Sequence, residues 1–265
     1  MNSADNNIKN NNNTNNNNNN NSEHNTTIIV TGASRGIGKA IAIALASPDT
    51  NLVISCSKSE DELRKTYNEI TDRGAGCTTY VGDMGCYGNV QEMFDIALRC
   101  YKKVDILINN AGIASIGLFQ DMTPDMWNNI MSVNLNSVYN CCHFAVNDML
   151  RRHHGRIINI SSVWGLYGAS CEVAYSASKG AINSLTKALA KELAPSGIQV
   201  NAIACGAIDT VMNGHLSEDE LEELACEIPA GSLGRPEGVA SLVKMLINSD
   251  EYLTGQVIQY DGGWI

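Results

Sequence analysis

The sequence contains no apolar run approaching the roughly 20 residues that a membrane-spanning helix requires. Residues 1–25 hold no apolar stretch of the kind that marks a secretory signal. Neither a membrane protein nor a secreted one is expected. Positive charge is scarce: 18 Lys and Arg stand against 28 Asp and Glu, a net charge of −10. That balance excludes the basic face that nucleic-acid binding needs. The nine cysteines are scattered and form no Cys-x-x-Cys pair. Such spacing suits reduced thiols in a cytoplasmic protein, and neither a disulfide framework nor a metal site. The adjacent Cys141 and Cys142 fall in a helical pattern and read as small buried hydrophobes.

What is present is ordinary globular composition, 44% hydrophobic and 17% charged over 265 residues. That is enough chain for one large domain with a sizeable core. Residues 1–25 are mostly asparagine. Such a tract cannot bury enough apolar area to offset its ordering entropy, so it is expected to be disordered. The folded domain is expected over 26–265.

That domain opens with the β-branched run Thr27-Ile28-Ile29-Val30. The segment Thr31-Gly32-Ala33-Ser34-Arg35-Gly36-Ile37-Gly38 follows, then a strong helix-forming run from Lys39 to Ala46. Strand, glycine turn and helix in that order are the context of a dinucleotide-binding turn. Glycines let the backbone approach a pyrophosphate, and the helix start offers it free N–H groups and a positive dipole end. Gly32, Ser34, Arg35, Gly36, Ile37 and Gly38 are the candidates to hold it. The second strand, 51–56, ends at Ser57-Lys58. A carboxylate there would select NAD through the ribose 2′-hydroxyl. Hydroxyls and cations, Ser57, Lys58 and the nearby Arg35, suit a 2′-phosphate instead, so the expected cofactor is NADPH/NADP+.

Further strands are expected at 77–81, 104–108, 156–160, 198–204 and 256–260. Helices are expected between them at 61–73, 87–101, 127–152, 174–194 and 236–248. Strands alternate with helices throughout, which predicts an α/β fold: a single doubly wound parallel sheet flanked by helices. Ligands bind at the carboxyl ends of such strands. Asp83, after the third strand, is placed to meet an adenine amino group. Asn110, Ala111 and Gly112 follow the fourth, where small residues let backbone lie close to a cofactor or a neighbouring strand. Asn134 stands inside a predicted helix, where asparagine is a poor former, so its amide is expected to hold a carbonyl or a water. Residues 208–228 are polar and acidic and are expected to form a flap over the substrate.

Tyr175 and Lys179 are four residues apart, which stacks them on one helix face. A cation beside a phenol favours the phenolate, so the spacing predicts a Tyr175 pKa lowered from about 10 towards neutrality. A phenol tuned in that way is a general acid–base. Ser162 follows the strand at 156–160 and can reach the same point.

Thr31-Gly32-x-x-x-Gly36-Ile37-Gly38, Asn109-Asn110-Ala111-Gly112, Asn134, Ser162 and Tyr175-x-x-x-Lys179 together resemble the short-chain dehydrogenase/reductase family. The likeness runs from Thr27 to the last residue. It implies a seven-stranded Rossmann fold and a catalytic group of Asn134, Ser162, Tyr175 and Lys179. Tyr175 would be the acid–base and Ser162 would polarise the substrate carbonyl. Lys179 would hold the nicotinamide ribose, Asn134 a water in a proton relay, and Thr210, beside Ile208, the carboxamide. The family's Pro-Gly after the sixth strand is Cys205-Gly206 here, which is expected to loosen that loop. The resemblance further implies a homotetramer built through the two long helices.

Within the family the chain is similar to 3-oxoacyl-acyl-carrier-protein reductases, which implies a carbonyl substrate carried on acyl carrier protein and a place in fatty acid synthesis. His153 and Ser196 stand where such reductases often place docking arginines, and Arg151 and Arg152 offer replacement cations. The stretch from Ser162 through Trp164 to Glu172 also resembles the elongation factor P 5-aminopentanone reductases. A carboxylate at Glu172, beside a rim formed by Trp164, would favour an amine-bearing ketone carried on elongation factor P. A Rossmann protein that binds NADPH as a sensor or scaffold is the remaining alternative.

Overall fold

A computed structural model describes residues 25–214 and 216–265. The tail expected at 1–25 lies outside these residues except for Asn25, whose amide donates to Pro48 O at 3.1 Å. Seven strands, β1 (Thr26–Val30), β2 (Thr50–Cys56), β3 (Gly76–Val81), β4 (Ile106–Asn109), β5 (Gly155–Ser162), β6 (Ile198–Cys205) and β7 (Val257–Tyr260), form one sheet. All neighbours are parallel, in the order β3-β2-β1-β4-β5-β6-β7. The central strands are β-branched and buried on both faces, as a parallel sheet covered on both sides requires.

Alternation along a strand divides the core into two layers. On β1, Ile28 and Val30 join one layer and Ile29 the other. The first layer packs under α1 (Gly36–Leu45), α2 (Glu60–Thr71) and α9 (Pro236–Ile247), through Ile41, Leu63, Ile70 and Val243. The second packs under α3 (Tyr87–Tyr101), α5 (Ser137–Arg152) and α7 (Val173–Leu193), through Phe94, Met149, Ile182 and Leu193. Burying each such side chain contributes about 1.5–3 kcal/mol relative to exposure. Cys141 and Cys142 are buried in this second layer, as their pattern suggested.

The helix expected at 127–152 is not uniform. Thr123 caps α4 (Pro124–Met131) by accepting from Met126 N at 3.2 Å. A π-helical turn, Ser132–Asn136, then joins it to α5. A π turn widens the backbone by one residue and turns a side chain that regular winding would point elsewhere. Here that side chain is Asn134.

Arg152 does not extend into solvent as a docking cation. It closes the amino end of the sheet, pairing with Asp105 at 2.6 Å and Asp148 at 2.9 Å and donating to Val104 O. Asp105 in turn accepts from Thr27 N on β1. The physical reason is that two buried carboxylates there need a cation, and Arg152 is the last residue of α5 beside them. Among the described residues no helix is long and apolar enough to cross a membrane.

Candidate active site

The strand order reverses between β1 and β4, which opens a crevice at the carboxyl edge of the sheet. A cleft of about 850 Å³ runs along that edge, within the usual range for ligand sites. Every predicted catalytic, cofactor and substrate residue lines it, apart from Gly38 and Asn134, which act from behind the wall, whereas the docking positions Arg151, Arg152, His153 and Ser196 lie outside it.

In the first half of the cleft the glycine turn is folded against the β4 loop. Gly32 adopts φ +66°, and a Cβ there would come within 2.9 Å of Ala111 Cα. Gly38 sits where any side chain would strike Gly32 O and the Asn110 amide. Asn110 donates through Nδ2 to Thr31 O at 3.0 Å and Gly32 O at 2.9 Å, while Thr31 Oγ1 accepts from the Asn110 and Ala111 amides at 3.0 Å. Asn110 therefore clamps the turn with its side chain and lends only its surface to the cleft. The turn delivers the start of α1 to the cleft with no side chain capping its first N–H groups, which leaves donors free for phosphate. Arg35, Ser57 and Lys58 line this end, and Arg35 and Lys58 are exposed. Among the described lining residues only Asp83 and Glu172 are acidic. Asp83 accepts from Gly85 N at 2.9 Å. Ser55 Oγ, a wall residue the sequence reading missed, is fully buried and has no hydrogen-bond partner. Uncapped helix amides, a glycine turn with no room for a Cβ and two exposed cations fit a dinucleotide bearing an extra phosphate.

In the second half, β5 ends at Ser162 and α7 carries Tyr175 and Lys179 back to it. All three side chains are buried, at 6%, 9% and 4% exposure. The Ser162 hydroxyl lies on the side of the Tyr175 phenol where it favours ionisation, and it accepts from Trp164 N at 3.2 Å. Lys179 Nζ lies 5.6 Å from the centre of the Tyr175 ring and donates to Ile160 O at 2.9 Å. Gly112 is wedged between Asn134 Oδ1 and Lys179 Nζ. Asn134 itself holds backbone: it accepts from Ile113 N at 2.8 Å and donates to Ile113 O at 2.9 Å and to Ser178 Oγ at 3.0 Å. Ser178 Oγ donates to Tyr175 O at 2.7 Å. The amide thus ties the β4 loop to the helix that carries the phenol.

The expected lowering of the Tyr175 pKa is not found. Burial pushes the phenol well above its ordinary value, and Ser162 opposes this only in part. Burial also brings the Lys179 ammonium down to about 8. Taking both groups out of water penalises each charged form, and Lys179 spends its hydrogen bond on a backbone carbonyl. Tyr175 is therefore a neutral phenol at pH 7, poised to give a proton. Cys205, also buried against this group, has its thiol pushed up to about 12 by burial.

The loop after β6 is not loosened by Cys205. Cys205 O accepts from Val163 N at 2.9 Å, Gly206 donates to Tyr260 O at 2.9 Å, and Asp209 donates to Gly234 O at 2.8 Å. The segment expected as a flap does border the cleft, through Ile208, Thr210, Met212, Leu216 and Leu224, with α8 (Glu218–Glu227) held by a Ser217–Glu220 capping box. Glu172, half-buried at the start of α7, lines the cleft, and its charge opposes ionisation of Tyr175. A short helix not foreseen, α6 (Trp164–Tyr167), lies across α7 and sets Trp164 on the rim. Trp264 completes that rim from beyond β7. Its only sequence signal is the turn pair Gly262-Gly263 immediately before it. Among the described residues no group of three His, Cys, Asp or Glu side chains is placed to hold a metal ion.

A doubly wound sheet with an uncapped glycine turn at its switch point, and a Ser–Tyr–Lys group one strand beyond β4, defines an oxidoreductase of the nucleotide-dependent class. Residues 26–221 match the family model described as short chain dehydrogenase, and the chain belongs to that family. It is 35% identical over 238 residues to Uncharacterized oxidoreductase YmfI of Bacillus subtilis, covering 89% of this chain and 97% of that protein. It is 36% identical over 238 residues to a 3-oxoacyl-[acyl-carrier-protein] reductase of Thermotoga maritima, covering 89% and 96%. A crystal structure of a single-residue variant of actinorhodin polyketide ketoreductase with NADPH superposes with a TM-score of 0.86 at 30% identity, covering 91% and 98%. The chain acts on a carbonyl or hydroxyl group.

Proposed function

We propose that the protein reduces a 3-oxoacyl ketone to the secondary alcohol with NADPH, the acyl group being presented on acyl carrier protein as part of fatty acid synthesis. One observation carries the reading: Ser162, Tyr175 and Lys179 converge at the end of β5 in the same cleft whose other end holds the uncapped start of α1 with Arg35 and Lys58. Bound NADPH supplies the hydride. The Ser162 hydroxyl donates to the substrate oxygen and fixes the carbonyl beside the phenol. Tyr175, a neutral phenol whose pKa burial raises further, delivers its proton to that oxygen as negative charge develops. The Lys179 ammonium stabilises the phenolate left behind and binds the nicotinamide ribose. Asn134 positions the β4 loop and, through Ser178, the backbone of Tyr175. Arg35, Ser57 and Lys58 take the 2′-phosphate, Asp83 the adenine, and Ile208 and Thr210 the carboxamide side. Ser162, Trp164, Glu172 and Tyr175 meet the substrate.

The carrier is supported by the reductase relatives. The alternative carrier, elongation factor P with an aminopentanone, draws no support from them, and a non-catalytic sensor does not suit an oxidoreductase family member. A homotetramer is supported by exposed apolar side chains on α4 and α5, including Met126, Tyr139 and Leu150. A cytoplasmic location is supported by nine free thiols. The direct test is NADPH oxidation, followed by absorbance, with acetoacetyl-carrier protein as substrate. Steady turnover is the expected result. Binding of NADPH without turnover of any carrier-bound or free 3-oxo compound would overturn the reading.

A further inference from the structure

We infer that Trp264 determines substrate specificity, forming with Trp164 an aromatic wall that favours a bulky apolar group over a methyl on the reacting carbonyl carbon of a 3-oxoacyl substrate. The inference rests on the reductase reading above and names the substrate class of that same site. The two indoles meet edge to face, with centroids 5.0 Å apart and planes at 62°, and both line the cleft that contains Ser162 and Tyr175. Neither belongs to the phosphate end of the cleft. Aromatic side chains prefer this tilted geometry, and an added ring extends it.

Trp264 is held in place by a built turn. Asp261 accepts through its carboxylate from Gly263 N at 3.0 Å and Ile265 N at 3.3 Å, and through its backbone carbonyl from Trp264 N at 3.3 Å. Ala230 N donates to Gly262 O at 3.1 Å, which fastens the turn to the segment after α8. Gly206, on the loop after β6, packs so closely on Asp261 that a Cβ would lie 2.8 Å from the Asp261 Cβ. Across the rim, the Tyr167 hydroxyl donates to Gln259 Oε1 at 3.3 Å and joins α6 to β7. Both indoles therefore sit on anchored backbone before substrate arrives, so little order is lost when an apolar group packs against them in the cleft that Leu216 and Leu224 also line. A methyl group in that space leaves the wall unfilled. Discrimination by apolar contact of this size is on the order of tenfold or more.

The test uses ethyl benzoylacetate and ethyl acetoacetate, which differ by phenyl against methyl on the reacting carbon. In each case ketone, NADPH and a proton give alcohol and NADP+. The wild type is expected to have the lower KM for the benzoyl ester. In Trp264→Ala the ratio of the two kcat/KM values should fall about tenfold towards the methyl ester, through KM. Trp264→Phe should keep the ratio within about threefold, and the Kd for NADPH should stay within about twofold in both. If Trp264→Ala fails to fold, Trp264→Leu against Trp264→Phe reads the same point, because only the second keeps a ring. An unchanged ratio in a variant that lacks the ring overturns the inference and leaves the reductase reading intact. Failure of the wild type to reduce either ester overturns the inference, and the carrier-bound assay above decides the reductase reading separately.

Discussion

Asn134 and Ile113 are joined by two hydrogen bonds, Ile113 N to Asn134 Oδ1 at 2.8 Å and Asn134 Nδ2 to Ile113 O at 2.9 Å. The pair is the amide-to-backbone equivalent of a strand ladder, placed inside a helix by the π turn at Ser132–Asn136. It makes Asn134 a positioning residue. Asn134→Ala leaves the half-buried N–H and C=O of Ile113 without partners, which costs about 1 kcal/mol of stability. The account expects that loss in urea unfolding, together with a lower kcat and a near-normal KM. A change in KM alone would place the amide in substrate binding instead.

The proposed role of Arg35 and Lys58 is to hold the 2′-phosphate of NADPH. Each charge-assisted hydrogen bond to a phosphate is worth roughly tenfold in affinity. Arg35→Ala and Lys58→Ala should each raise the Kd for NADPH by about that factor and leave NADH almost unaffected. Fluorescence titration with both nucleotides reads the difference. Equal weakening for NADPH and NADH would mean that these cations bind the pyrophosphate, or nothing.

The pH dependence follows from Lys179, whose ammonium is brought down to about 8 by burial. Below that pH the charge is present and stabilises a developing phenolate; above it the charge is lost. Reduction should therefore fall as pH rises through about 8, while the phenol stays protonated because its own pKa is raised. A kcat/KM profile measured from pH 6 to 10 shows it, and a profile flat to pH 10 would contradict it.

Arg152 separates a structural role from a docking one. Removing Arg152 leaves Asp148 without a cation while Asp105 keeps Lys103 at 3.1 Å, so the loss should fall at or below about 3–5 kcal/mol, the cost of a buried pair broken outright. Arg152→Met should lower the urea midpoint sharply while KM for a carrier-bound substrate stays near that of the parent. A KM effect without a stability effect would restore the docking role.

Much of this was legible in the sequence, for identifiable reasons. The strands are short β-branched runs at the spacing of βαβ units, so all seven fell close to their observed places. The glycine turn and the Tyr175–Lys179 spacing are local patterns, and local patterns survive folding. What escaped depends on tertiary burial. Helical spacing put Lys179 beside Tyr175 correctly, but only the folded core shows that desolvation outweighs the attraction between them. The π turn has no residue signature, so Asn134 read simply as a poor helix residue. Arg152 looks the same as any surface arginine until Asp105 and Asp148 are brought to it. Trp264 is distant in sequence from Trp164, and only the return of β7 beside β6 joins them.

Tyr175 is proposed as the proton donor in a reductase. The most direct measurement compares NADPH oxidation by the wild type and by Tyr175→Phe, with acetoacetyl-carrier protein and with a free 3-oxoester. Loss of a positioned general acid costs on the order of 10²–10⁴ in rate. The account predicts a fall of that size for both substrates, with the Kd for NADPH within about twofold of the wild type. A Tyr175→Phe variant that keeps near-normal kcat would contradict it.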